Sequence, residues 1–134
     1  IFGNALLNTF LFLLPALLVG LLKGSDSQKD KLSKVLIQDG HQQVYVPNHE
    51  VYFLESSGNY VTYHTASKKY VVRKSLTQAE KDLPNNFLRC HKSFVVNCEL
   101  ISRKSYGEIS VGEHSIPVGR KYQEKLKTKL PSTN

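Results

Sequence analysis

The hydrophobic positions of this chain follow two different patterns. From Ile1 to Leu22 no residue is charged, Leu, Phe and Ala dominate, Pro15 sits in the middle and Lys23 closes the run. Such a run is long enough for a transmembrane helix, and Pro does not forbid one. Lys23, Lys29, Lys31 and Lys34 would place its C-terminal side in the cytoplasm. The other reading is an amphipathic or swapped packing helix. A signal peptide fits less well, because the run has no initiating Met, no basic region before it and no clear small-residue cleavage site. Gly24 to Ser33 is polar and reads as a short linker.

From about Lys34 the pattern changes to short β-favouring runs between turn signals. These are Val35 to Gln38, Gln43 to Val46, Val51 to Glu55, Tyr60 to Thr65, Tyr70 to Lys74, Phe94 to Val96, Leu100 to Ser102 and Glu108 to Val111. Their spacing predicts an antiparallel all-β domain. Asp39-Gly40 and Ala66-Ser67-Lys68-Lys69 are the expected hairpin tips. Alternation sets Val61 and Tyr63 opposite to Tyr60, Thr62 and His64, so one face of that hairpin is available as core. Two helices interrupt the strands. Ser75-Leu76-Thr77-Gln78 fits a capping box, with Leu76, Ala79 and Leu83 on one face and Pro84 as the stop. Arg120 to Leu130 places Tyr122, Leu126 and Leu130 four apart among lysines, which predicts a basic amphipathic helix. The chain thus divides into an apolar helix (1–23), a linker (24–33), one globular domain (34–130) and a short tail (131–134).

Composition narrows the partners. A domain of this length buries a real core, and the formal net charge of +7 suits a polyanion, either nucleic acid or an anionic membrane face. The 2 cysteines, Cys90 and Cys98, are too few and too close for a disulfide framework and suit a reducing compartment. No CxxC pair occurs, and the 5 histidines form neither HExxH nor another paired metal-ligand spacing, so no metal is expected. No nucleophile, base and orienting group stand in a catalytic pattern, so neither an enzyme nor a cofactor is expected.

Candidate chemistry concentrates in three places. Arg89-Cys90-His91-Lys92-Ser93-Phe94-Val95-Val96-Asn97 reads as a basic loop leading into a buried strand, with Arg89, His91 and Lys92 able to donate to phosphate and Lys92 or Arg89 able to reach guanine. Alternation points Lys92 away from His91, whose bland role is a hydrogen-bonded structural histidine. Phe94 to Val96 is expected core, and Asn97 is expected to cap the next turn. Glu55-Ser56-Ser57-Gly58-Asn59-Tyr60 is a loop between strands in which Asn59 is either a base reader or an ordinary turn residue. Arg120 stands near a helix start, where its fork suits a bidentate contact to guanine. Cys90, flanked by Arg89 and His91, is a candidate redox residue if those neighbours lower its thiol pKa, set against a buried inert thiol. A Cys90/His91 nucleophile pair is poorer, since adjacent strand residues point to opposite faces.

Taken in order, Phe53 to Val61, Phe87 to Asn97 and Ile116-Pro117-Val118-Gly119-Arg120 closely resemble the LytTR-type DNA-binding domains of bacterial response regulators, over about Lys34 to Leu130. The resemblance implies a mostly β, elongated antiparallel multi-sheet fold with one or two short helices, here preceded by the apolar N-terminal helix. It implies sequence-specific double-stranded DNA binding in transcription regulation, with loops docked into successive major grooves of bent DNA at direct-repeat half-sites and a homodimer on the DNA. Carried over by position, it puts base contacts at or next to Asn59, at Lys92 and at Arg120, and backbone contacts at Arg89, Ser93 and Lys121. Gly119 stands where the family often has Ser, a loss of about a few tenths of a kcal/mol if that Ser caps a helix. Family members often follow a receiver domain, whereas an apolar segment stands upstream here; the corresponding location is cytoplasmic, tethered to the inner face of the cell membrane through residues 1–22. The alternative function is a membrane-surface module binding anionic lipid through its basic face.

Overall fold

A computed structural model describes residues 33–130. The apolar segment, all of the linker but Ser33, and the tail lie outside the described residues. Residues 34–130 form one compact unit. Three antiparallel sheets make it up. A hairpin of β1 (Lys34–Asp39) and β2 (Gln42–Pro47) precedes a five-stranded sheet in the order β5-β4-β3-β7-β6. The strands of that sheet are β3 (Val51–Ser57), β4 (Tyr60–Thr65), β5 (Lys69–Arg73), β6 (Phe87–His91) and β7 (Phe94–Asn97). A three-stranded sheet follows in the order β10-β9-β8, built from β8 (Ile101–Ser105), β9 (Glu108–Val111) and β10 (His114–Pro117). Helix α1 (Leu76–Lys81) lies between β5 and β6, and α2 (Gln123–Lys129) follows β10.

The central sheet is buried on both faces, which explains why Phe53-Leu54 and Val95-Val96 are continuous apolar runs rather than alternating ones. On one face Leu54, Val61, Tyr63, Val72 and Val95 pack with Val35 and Ile37 of the first hairpin and with Leu76 and Ala79 of α1. On the other, Phe53 and Val96 pack with Ile109, Val111 and Ile116 of the three-stranded sheet and with Leu126 of α2. Each such side chain contributes on the order of 1.5–3 kcal/mol. Helix α1 carries the capping box: Gln78 N donates to Ser75 Oγ at 3.2 Å and Ser75 N to Gln78 Oε1 at 3.1 Å. Arg120–Tyr122 is a 3-10 turn leading into α2, on which Leu126 is fully buried while Tyr122 and Leu130 pack partly buried against the same cluster.

Two strands depart from the sequence reading. Phe87–His91 is β6, not part of a loop: it pairs with β7, and a register shift between Arg89 and His91 breaks the alternation that would have marked it. His114–Pro117 is an edge strand with Ile116 as its buried residue, and an outermost position is where Pro is tolerated. Strand β8 also runs on to Ser105, past the expected end at Ser102.

Burial on the second face of β4 reaches His64. Its ring stacks on Phe53 with centroids 4.1 Å apart, Nε2 lies 3.1 Å from Glu55 Oε2, and Nδ1 is buried without a partner. Burial lowers its pKa below the ordinary value; the bond to Glu55 opposes this, and Lys69 and His114 add to it. A folded-state pKa below the unfolded one means that the unfolded chain binds the proton more readily as pH falls. His64 therefore contributes stability that is present above the unfolded histidine pKa and lost as pH drops through the folded value. Melting temperature should fall between pH 7.5 and pH 5, and His64→Phe should make that fall shallower; an equal fall in the variant would contradict the assignment.

Candidate nucleic-acid interface

Strands β3 and β4 end in the pair Ser57↔Tyr60, leaving Gly58-Asn59 as a two-residue turn. Gly58 has φ of 59° while, among the described residues, no non-glycine residue has positive φ, the pattern of a type II′ hairpin with glycine first. Asn59 is thereby held exposed at the tip. Strands β6 and β7 end in the pair His91↔Phe94, so Lys92-Ser93 is a second two-residue turn. His91 Nδ1 accepts a hydrogen bond from Ser93 N at 3.1 Å, the structural role anticipated for this histidine, and Lys92 is left exposed.

Arg89 is committed to that second turn. Its Nε donates to His91 O at 3.0 Å, one terminal nitrogen to Lys92 O at 2.6 Å and the other to Glu80 Oε2 at 3.3 Å. The guanidinium satisfies the carbonyls on both sides of the Lys92 peptide, which fixes the direction in which the Lys92 side chain leaves the backbone.

Two backbone hydrogen bonds bring the three motifs to one end of the molecule. Ser56 N donates to Ser93 O at 2.9 Å, setting the second turn beside the first, and Gly119 N donates to Cys90 O at 2.9 Å, setting the Gly119-Arg120 entry beside β6. A side chain at position 119 would place its Cβ 3.0 Å from Tyr122 Cδ2, so glycine lets Tyr122 close over this junction. Arg120 and Lys121 are exposed next to it, with the Lys121 ammonium 5.2 Å from the Tyr122 ring centroid.

The register of β4 and β5 adds a residue that sequence reasoning missed. Tyr60 pairs with Arg73, so Arg73 stands, exposed, at the same end as Asn59, and Lys74 follows it. The hairpin tip expected at Ala66–Lys69 would pair Thr65 with Tyr70 and so Tyr60 with Ser75; the observed register begins at His64↔Lys69 and brings Arg73 opposite Tyr60 instead. At the opposite end of the sheet Asn97 is fully buried. It donates to Asn48 O and Val51 O, both at 3.0 Å, and accepts from Asn86 Nδ2 at 2.7 Å and Glu99 N at 3.1 Å. The last of these is the cap foreseen for it.

Cys90 corrects the redox expectation. Its side chain points into the core rather than toward Arg89 or His91, it has no exposed surface, and burial pushes its thiol up to about 12, with Arg89 lowering it only weakly. Cys98 is half-buried and is also shifted up by burial. Thiolates are therefore scarce near neutrality. Mild peroxide at pH 7.5 should leave Cys90 unmodified in the folded chain and modify it only after denaturation, as read by mass spectrometry; modification of Cys90 in the folded chain would restore the switch. Among the described residues no group of three or more His, Cys, Asp or Glu is arranged to hold a metal ion, and no helix is long and apolar enough to cross a membrane.

Asn59 and Lys92 on tight turns, Arg73 at the end of β5 and Arg120 and Lys121 at the entry to α2 are all exposed, and four of the five are cationic, the chemistry that suits a polyanion. The chain belongs to the LytTr DNA-binding domain family, whose model matches residues 41–131. Membership supports DNA binding in transcription regulation, and the family is not one of enzymes. The chain is 32% identical over 104 residues to the sensory transduction protein LytT of Bacillus subtilis (strain 168), a match that covers 72% of this chain and 43% of that protein. It thus spans less than half the length of that curated relative. A solved LytTr DNA-binding domain from Bacillus cereus superposes with a TM-score of 0.62 at 24% identity, over 75% of this chain and 98% of that one, and shares the mostly β fold of antiparallel sheets.

Proposed function

We propose that this chain reads double-stranded DNA by sequence, with Asn59, Lys92 and Arg120 meeting base edges in the major groove and Ser93 and Lys121 on flanking phosphates. The observation that carries this reading is the pair of backbone hydrogen bonds, Ser56 to Ser93 and Gly119 to Cys90, which hold the three motifs side by side. Arg73 extends the basic surface beyond Asn59. Arg89 positions Lys92 through three of its five N–H donors, which are bonded within the domain, and the remaining two leave it able to meet a phosphate as well. By resemblance to the family, two copies occupy direct-repeat half-sites and bend the DNA between them. A chain with this task works in the cytoplasm as the output of a bacterial response regulator.

Selection of binding sites from a random duplex pool with the 134-residue chain tests the proposal. Enrichment of a spaced direct repeat supports it. Recovery of unselected sequence, with binding that tracks only salt concentration, would show electrostatic attachment without reading.

A further inference from the structure

A second surface starts beside the Gly119-Arg120 entry, where Val118 N donates to Gly107 O of the β8–β9 tip at 2.9 Å, and runs from there along β8. Among the described residues strand β8 is the outermost strand of its sheet and pairs with β9 alone, so one backbone edge of Ile101–Ser105 has no described strand beside it. A cleft of about 690 Å³ runs along that strand, with α2 as its other wall. Arg103 and Lys104 line it from the strand and Lys127 from the helix, and no carboxylate lines it at all. Ile101 and Leu130, both half-buried, contribute apolar lining, and Tyr106, 87% exposed, stands at the β8–β9 hairpin tip.

We propose that this cleft docks an acidic, extended peptide segment of a protein partner, which adds to β8 as a further strand. An unpaired strand edge offers main-chain donors and acceptors to any extended chain, and side-chain pockets then choose among candidates. Lysine and arginine on an edge repel an identical edge, which guards against pairing between copies of this chain. The same cations select a partner of opposite sign. A strand of this length spans about 17 Å, room for about five paired residues with acidic side chains toward Arg103, Lys104 and Lys127 and apolar ones toward Ile101 and Leu130.

DNA is the poorer occupant. Strand β7 runs away from the Lys92-Ser93 turn, so Cys98, Ile101 and the apolar end of the cleft lie at the far end of the domain from Asn59 and Lys92. A phosphate backbone offers nothing to an apolar lining.

The test uses the full chain and a fluorescein-labelled peptide of alternating acidic and β-branched residues, followed by anisotropy and by hydrogen exchange of the β8 amides. Binding with added protection over Ile101–Ser105 is expected. A central proline in the peptide should abolish it by removing a ladder donor. Arg103→Glu and Lys127→Glu should each weaken the acidic peptide on the order of tenfold while creating affinity for its lysine counterpart. No binding, equal binding by the proline peptide, or unchanged affinity in both variants would overturn the proposal. So would a loss of affinity for duplex DNA in these variants as large as that of Arg120→Ala, which would make the cleft part of the DNA surface.

Discussion

Arg120→Ala should lower affinity for the selected DNA site by about 1–3 kcal/mol and relax base preference at one position of each half-site. The residue is exposed at the 3-10 entry to α2, its backbone tied to β6 only through the neighbouring Gly119, so truncation removes a contact without disturbing the core. Lys92→Ala should cost a similar amount at a different base position, because Lys92 leaves a separate turn. Lys121→Ala should behave otherwise, weakening all duplexes about equally and reducing the salt slope by about one. Equilibrium titrations on the selected site, on single-base variants of it and on unrelated duplex separate the two kinds of loss. If Arg120→Ala weakens every duplex by the same factor, Arg120 contacts phosphate and not a base edge.

Asn97→Leu should destabilise the fold by about 3 kcal/mol. Leucine keeps the branching of the side chain but is bulkier and cannot hydrogen-bond: the carbonyls of Asn48 and Val51, the Glu99 N–H and the Asn86 amide all lose their bonds to this side chain. An unsatisfied buried group costs about 1–3 kcal/mol, and these groups share one site, so the penalties do not sum in full. Asn48 and Asn86 keep their bonds to one another at 2.8 Å, which limits the loss. Urea unfolding measures it, with a lowered midpoint and an unchanged m-value expected. A change below about 0.5 kcal/mol, the range of an ordinary surface substitution, would mean that the asparagine network does not hold the far end of the sheet.

The parts of the fold that were legible in the sequence are those built from local pattern. The β4–β5 hairpin follows from alternation about the Ala66–Lys69 tip, and α1 follows from the Ser75 and Gln78 pair with its apolar face. What escaped depends on geometry that only the fold supplies. Strand β6 mixes Arg89 and His91 with apolar residues and carries a register shift, so it looks like a basic loop. His64 lies on the face of β4 away from Val61 and Tyr63, and that face is buried too. Cys90 misled for a related reason: charged neighbours in sequence suggested an activated thiol, yet Cys90 sits at the register shift of β6 with its side chain buried in the core cluster. The candidate site was legible as three motifs through their resemblance to a family. Their convergence was not, because it rests on hydrogen bonds between residues far apart in sequence, Ser56 with Ser93 and Cys90 with Gly119.

The central claim is that these three turns form one DNA-reading surface. Amide chemical-shift mapping of the chain, with and without its selected duplex, tests it most directly. The account predicts the largest shifts at Ser57–Tyr60, His91–Ser93 and Gly119–Tyr122, saturating together at one protein-to-half-site ratio. Shifts concentrated on the β1–β2 hairpin or on α1, with those three turns silent, would contradict it.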